Sequence, residues 1–152
     1  MRSTFGGEVV SPLHITVDRV VTGDVDGLVR AVHGPLPGLR PVAVRVDGAF
    51  FLSSQHRGPE IVKLNVTPDA AFDHVLAELR GALRRSGLPS LHTNDRSTNV
   101  TAVQRAKRSP ATEARTWDLP LELFVGDLVI LSRLRGPVTY EVLDTATIPT
   151  TG

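Results

Sequence analysis

Leu13-His14-Ile15-Thr16-Val17 and Thr98-Asn99-Val100-Thr101-Ala102-Val103 are two short apolar runs with strand character, far apart in the chain. A strand turns successive side chains to opposite faces, so residues i and i+2 project to the same side. His14 and Thr16 therefore share one face of the first run, and Asn99 and Thr101 share one face of the second. If these strands lie side by side, the four polar groups line one wall. The reading of the whole fold turns on that pairing.

Outward from these runs the elements follow in order. Val9 to Val21 reads as a strand interrupted early by Pro12. Asp24 starts a short helix in which Val25, Leu28, Val29 and Val32 fall on one face, and Gly34-Pro35 stops it. A proline-rich connection, 35–41, leads to the alternating Val42, Val44 and Val46, a strand with one face buried. Gly48 is expected to break it, with Ala49-Phe50-Phe51-Leu52 as a separate strand, then a polar loop over 53–59 and a strand over 61–66. The clearest element comes next: Thr67 as N-cap, Pro68 at the first helical position, Asp69 at the positive helix end, and a stripe of Phe72, Val75, Leu76, Leu79 and Leu83. Arg84-Arg85 close its last turn and Gly87 stops it. A loop over 89–96 enters the Asn99 strand, and 105–118 is a polar, basic loop. Two final strands, 119–134 and 138–148, flank Arg135-Gly136-Pro137, which has hairpin chemistry. Strands with two helices on one side make an α+β fold.

Composition excludes several function classes. The 152 residues make one domain's worth of chain, with 41% apolar and 22% charged residues, the mix of a globular protein. A formal net charge of +1 advertises no broad basic field for long nucleic acid, but leaves room for a small or single-stranded anionic ligand. There is no cysteine, hence no disulfide scaffold and no thiolate metal site. No apolar run approaches the roughly 20 residues of a membrane helix. The first residues, Met1 to Gly7, lack the apolar core of a signal peptide, so a cytoplasmic protein is expected.

The polar wall suits a phosphate. Imidazole moves a proton near neutral pH, and threonine hydroxyls hold phosphoryl oxygens. Taken alone, His14 also fits a strand histidine bonded to a neighbour, and Thr16 and Thr101 fit ordinary β-branched strand residues. Asn99 is either a structural remnant or an amide donor to a phosphoryl oxygen.

With these elements in this order, the chain resembles the two-histidine (2H) phosphoesterase superfamily, which includes bacterial 2′-5′ RNA ligases and cyclic nucleotide phosphodiesterases. That group carries two His-x-Thr or His-x-Ser motifs, one per lobe, facing each other across a cleft. His14-Ile15-Thr16 matches the first, within Leu13 to Arg19 (LHITVDR). Residues 41–49, 61–88 and the terminal hairpin 126–148, with Val129-Ile130-Leu131-Ser132 and Tyr140-Glu141-Val142-Leu143, resemble the strands and long helix that follow. The second motif reads Asn99-Val100-Thr101, and 13 residues precede His14 where the superfamily has a strand and a helix. The first lobe is then reduced, or completed by another chain.

The resemblance implies a single domain over 1–152 with its core in 9–148, built as two-lobed antiparallel sheets with two helices packed outside. It implies metal-free, cofactor-free acid–base chemistry on a 2′,3′-cyclic phosphate or a 2′-5′ linkage at a nucleotide or RNA terminus. His14 and Asn99 take the catalytic positions, and Thr16 and Thr101 hold the phosphate. His92, in the loop entering the second motif, is a candidate to reach the cleft, and Tyr140 a candidate to stack on a base. His56 beside Arg57 is a weaker candidate; His33 and His74 are left outside the site. Arg105, Lys107 and Arg108 lie in the basic loop, where they either guide an RNA strand or are simply solvated, and Trp117 in the same loop, like Tyr140, either stacks on a base or fills core. The alternative is a nucleotide- or RNA-binding module whose 2H cleft has lost its activity, because asparagine cannot transfer a proton at neutral pH.

Overall fold

A computed structural model describes residues 6–11, 13–53, 60–91, 99–106, 121–125, 128–135 and 140–150, with 99 and 121–125 described by their backbone. Helix α1 spans Val25–His33 and starts where expected, the Asp24 carboxylate accepting from the Gly27 N–H at 2.7 Å. Helix α2 spans Ala70–Arg85. Its cap is Asp69, not Thr67: Asp69 has extended backbone and its carboxylate accepts from the Phe72 N–H at 2.9 Å. The reason is that Thr67 still belongs to the sheet. Its N–H donates to Arg45 O at 2.8 Å, and a residue before proline is held extended. At the other end Gly87 takes φ +73°, Leu88 N–H bonds Leu83 O, and Gly87 N–H bonds Arg84 O. This pair of bonds satisfies the last carbonyls of the helix, and the left-handed residue favours glycine.

The strands are β1 (Glu8–Val9), β2 (Val42–Ser53), β3 (Glu60–Val66), β4 (Asn99–Gln104), β5 (Leu121–Val125), β6 (Leu128–Leu134) and β7 (Tyr140–Thr147). One antiparallel sheet has the order β1-β4-β3-β2-β5, and β6 and β7 pair in a second. Three expectations about the strands are corrected. Gly48 does not end a strand: β2 runs through it, with a shift of register against β3 between Val46 and Gly48, so one long strand bends rather than breaks. The run 119–134 is not one strand: β5 joins β2 and β6 joins β7, so the chain changes sheets between them. Val9 to Val21 is not a continuous strand either. Beyond β1 it makes isolated antiparallel bridges, Ile15 with Val100 and Val20 with Ser90. Between them side chains replace the ladder: Arg80 Nε donates to Val17 O at 2.9 Å, and Asp18 accepts from the Arg19 N–H and from the Ser90 hydroxyl.

The expected apolar stripe of α2 is buried along its whole length, and it serves both sheets. Phe72 and Leu76 pack with Val44, Val66 and Val100 of the large sheet. Val75, Leu79 and Leu83 pack with Ala31 and Val32 of α1, with Leu131 and Ala146 of the small one, and with Ile148 just past its last strand. Two helices thus cover one side of two antiparallel sheets, an α+β architecture with two lobes. The segment from Ile15 to Val20 threads between the lobes: Ile15 joins the first cluster, Val20 the second, and Val17 both.

Candidate functional site

The Ile15–Val100 bridge fixes the register of the first motif on β4. In an antiparallel pair this sets His14 across from Thr101, and Thr16 across from position 99. Ile15 and Val100 pack into the core with Phe72 and Leu76, so His14, Thr16 and Thr101 occupy the opposite face, away from the helices. His14 and Thr16 are exposed and Thr101 is half-buried. The backbone of Asn99 pairs with that of Asn65 in β3, whose amide in turn donates to Asp47 at 2.7 Å. The two motifs expected to meet are therefore neighbours, the first laid against β4 by a single bridge.

The second sheet supplies the facing wall. The Tyr140 ring lies edge-on to the His14 ring, with centroids 6.4 Å apart and planes at 71°. A register shift between Leu131 and Ser132 explains how Tyr140 comes to face this way. On one side of the shift Leu131 pairs with Asp144 and Val129 with Ala146, toward the helices; Asp144 accepts a 2.7 Å contact from His33 of α1. On the other side Ser132 pairs with Val142 and Leu134 with Tyr140. The extra residue, Leu143, inverts the phase of β7, so Val142 and Tyr140 join Leu128, Ile130 and Leu134 on the open face. All five are exposed, between 38% and 59%, and they share that face with exposed Ser132, Thr145 and Thr147, so the wall opposite the polar motif mixes apolar side chains with hydroxyls.

The structure thus gathers His14, Thr16, Thr101 and Tyr140 at one place. His92, His56 and Trp117 lie outside the described residues, as do Lys107 and Arg108. Arg105 sits just past β4 at φ 54° and points its guanidinium to Glu8 at 3.5 Å. His74 is exposed on α2, and His33 is engaged with Asp144 away from the motif. Among the described residues no group of three or more His, Asp or Glu side chains is arranged to hold a metal ion. Lys63, which the motif reading does not include, is buried at 7% exposure and pairs directly with Thr101. The signal that could have found it is a charged residue at the centre of the otherwise apolar run Ile61-Val62-Lys63-Leu64.

The backbone resembles structures already solved. Escherichia coli LigT, solved in complex with 3′-AMP, superposes with a TM-score of 0.61 at 17% identity, over 97% of this chain and 84% of that one. The fold is the 2H phosphoesterase fold. A second structure described as a phosphoesterase gives a TM-score of 0.59 at 18% identity, covering 95% of this chain and 82% of that one. The PDE domain of MHV ns2 gives 0.57 at 13% identity, covering 93% and 77%. No family model and no curated protein matches the sequence. Among the described residues no helix is long and apolar enough to cross a membrane.

Proposed function

We propose that this chain is a 2H-type phosphodiesterase, acting in the cytoplasm on 2′,3′-cyclic phosphate or 2′-5′ linked ends of a nucleotide or RNA. The observation that carries this reading is the Ile15–Val100 bridge, which sets an imidazole beside a threonine hydroxyl on the open face of a phosphoesterase fold. In this reading Thr16 and Thr101 donate to the non-bridging phosphoryl oxygens. Hydrolysis of a cyclic phosphate forms a new P–O bond from water and breaks the P–O bond to one ribose oxygen. Either His14 takes the proton from that water and the departing oxygen is protonated from solvent, or His14 gives a proton to the departing oxygen and the water loses its own to solvent. Asn99 orients the phosphate through its amide and moves no proton, so the reaction is slow. Tyr140 and the apolar side chains of Leu134 and Val142 suit a base beside the phosphate, and the 3′-AMP of the LigT complex supports a nucleotide as the ligand class.

Asn99 favours a second reading, a binding module that keeps the cleft without turnover. One experiment separates the two. Nucleoside 2′,3′-cyclic phosphates and 2′-5′ linked dinucleotides are incubated with the full chain in chelator and the products are followed. Turnover that His14→Ala abolishes supports the phosphodiesterase. Tight nucleotide binding with no turnover supports the module, and the absence of both refutes the proposal.

A further inference from the structure

We propose that Lys63 is the cation of this site, donating from Nζ to a non-bridging oxygen of the bound phosphodiester. The inference deepens the phosphodiesterase reading and rests on it. Two strands and one bridged segment carry the argument. Lys63 of β3 pairs with Thr101 of β4, and the Ile15–Val100 bridge sets His14 on the far side of Thr101. Residues directly opposite in a sheet share a face, with Cβ atoms about 4.5–5.5 Å apart. Lys63, Thr101 and His14 therefore stand in one row across the sheet, the hydroxyl in the middle. Burial of Val62 among the core residues Ala49 and Val103 confirms the face: Val62 turns inward, and Lys63 turns to the other side.

The residue type is what makes this row informative. Lysine is almost never buried unless paired, because removing an ammonium from water is costly. Here it is the one buried charged residue among those described. On one side its neighbour in the row is Thr101, with His14 beyond it; on the other, on β2, it is Phe50. Lys63 already interacts within the protein, and its ammonium carries three donors; one of them is proposed to reach a phosphoryl oxygen above Thr101. Among the described residues one imidazole, His14, stands at this face to meet the charge of a phosphodiester. A low-dielectric lysine one strand away supplies what that imidazole alone does not.

The test compares adenosine 2′,3′-cyclic phosphate with neutral adenosine on the full chain, by calorimetric titration of wild type, Lys63→Met and Lys63→Arg. Methionine keeps the length of the buried stem and removes the charge. The expected result is a loss of about 10–100-fold in affinity for the cyclic phosphate with Lys63→Met, as for a charge-assisted hydrogen bond, and no change for adenosine. Lys63→Arg restores most of the loss. In wild type the Lys63 ammonium resonance shifts on adding the cyclic phosphate and stays put with adenosine. This second measurement decides the matter if Lys63→Met does not fold. Wild-type affinity in folded Lys63→Met, equal losses for both ligands, or an unmoved ammonium resonance overturns the assignment of Lys63 alone. Wild type that binds no cyclic phosphate overturns the phosphodiesterase reading and this inference with it.

Discussion

Replacing Asn99 with histidine is the perturbation that most directly probes this site. Position 99 pairs with Asn65 in β3 and stands one register step from the Ile15–Val100 bridge, across from Thr16. His14 is across from Thr101, so position 99 and His14 stand on the diagonal of the pair, about 7–8 Å apart, and imidazoles at the two positions flank a single phosphate-sized space. A positioned general acid or base contributes about 10²–10⁴ in rate, which is about 3–5 kcal/mol of barrier at 1.36 kcal/mol per tenfold. Asn99→His is expected to raise kcat on a nucleoside 2′,3′-cyclic phosphate by up to that factor, with KM little changed, since the hydroxyls that hold the phosphate are untouched. Product release is followed by chromatography under single-turnover conditions. The double variant His14→Ala, Asn99→His is expected to lose the gain. A rate in Asn99→His no greater than wild type, in a folded protein that still binds the ligand, would refute the idea that position 99 faces His14 across the phosphate.

Three further outcomes test the scaffold. Asp69→Ala is expected to cost about 0.5–2 kcal/mol of stability by thermal melting because it removes the true cap of α2, whereas Thr67→Val is expected to be neutral or stabilising, since the buried Thr67 hydroxyl has no hydrogen-bond partner among the described residues. Equal losses in the two would show that the cap is wrongly placed. Leu79→Ala, at a side chain 3% exposed between α1 and the small sheet, is expected to cost about 2–5 kcal/mol; a loss under about 1 kcal/mol in denaturant titration contradicts the packing. The Arg135 hydrogen bond and charge, aided by Arg133, hold the Glu141 carboxyl below its ordinary value. A carboxylate with a lowered folded pKa stabilises above its unfolded pKa and loses that contribution as pH falls through the folded one. Glu141→Gln should therefore flatten the acid limb of the melting curve slightly and leave neutral stability nearly unchanged, because the pair is solvent-exposed. A large neutral-pH loss would contradict this.

Local chemistry was legible wherever a signal is local. The Asp24 cap, the inward stripe of α2 and the Gly87 stop depend on 3.6-residue spacing and on which residues tolerate φ above zero, and each stands where the pattern put it. The i, i+2 placement of His14 and Thr16 likewise needs nothing beyond strand alternation. What only the tertiary structure decided is everything that depends on a distant partner. Thr67 reads as a cap until Arg45 O claims its N–H. Gly48 reads as a break until β3 pairs on both sides of it. The run 119–134 reads as one strand until its halves find different sheets. The site divides the same way. Its motif residues are visible as letters, but Tyr140 faces His14 only because an extra residue inverts β7, and Lys63 joins the row only because β3 lies beside β4. A period of two says which residues share a face of a strand; it cannot say which strand comes next to it, because long-range pairing is set by hydrophobic surfaces that exist only once the chain has collapsed.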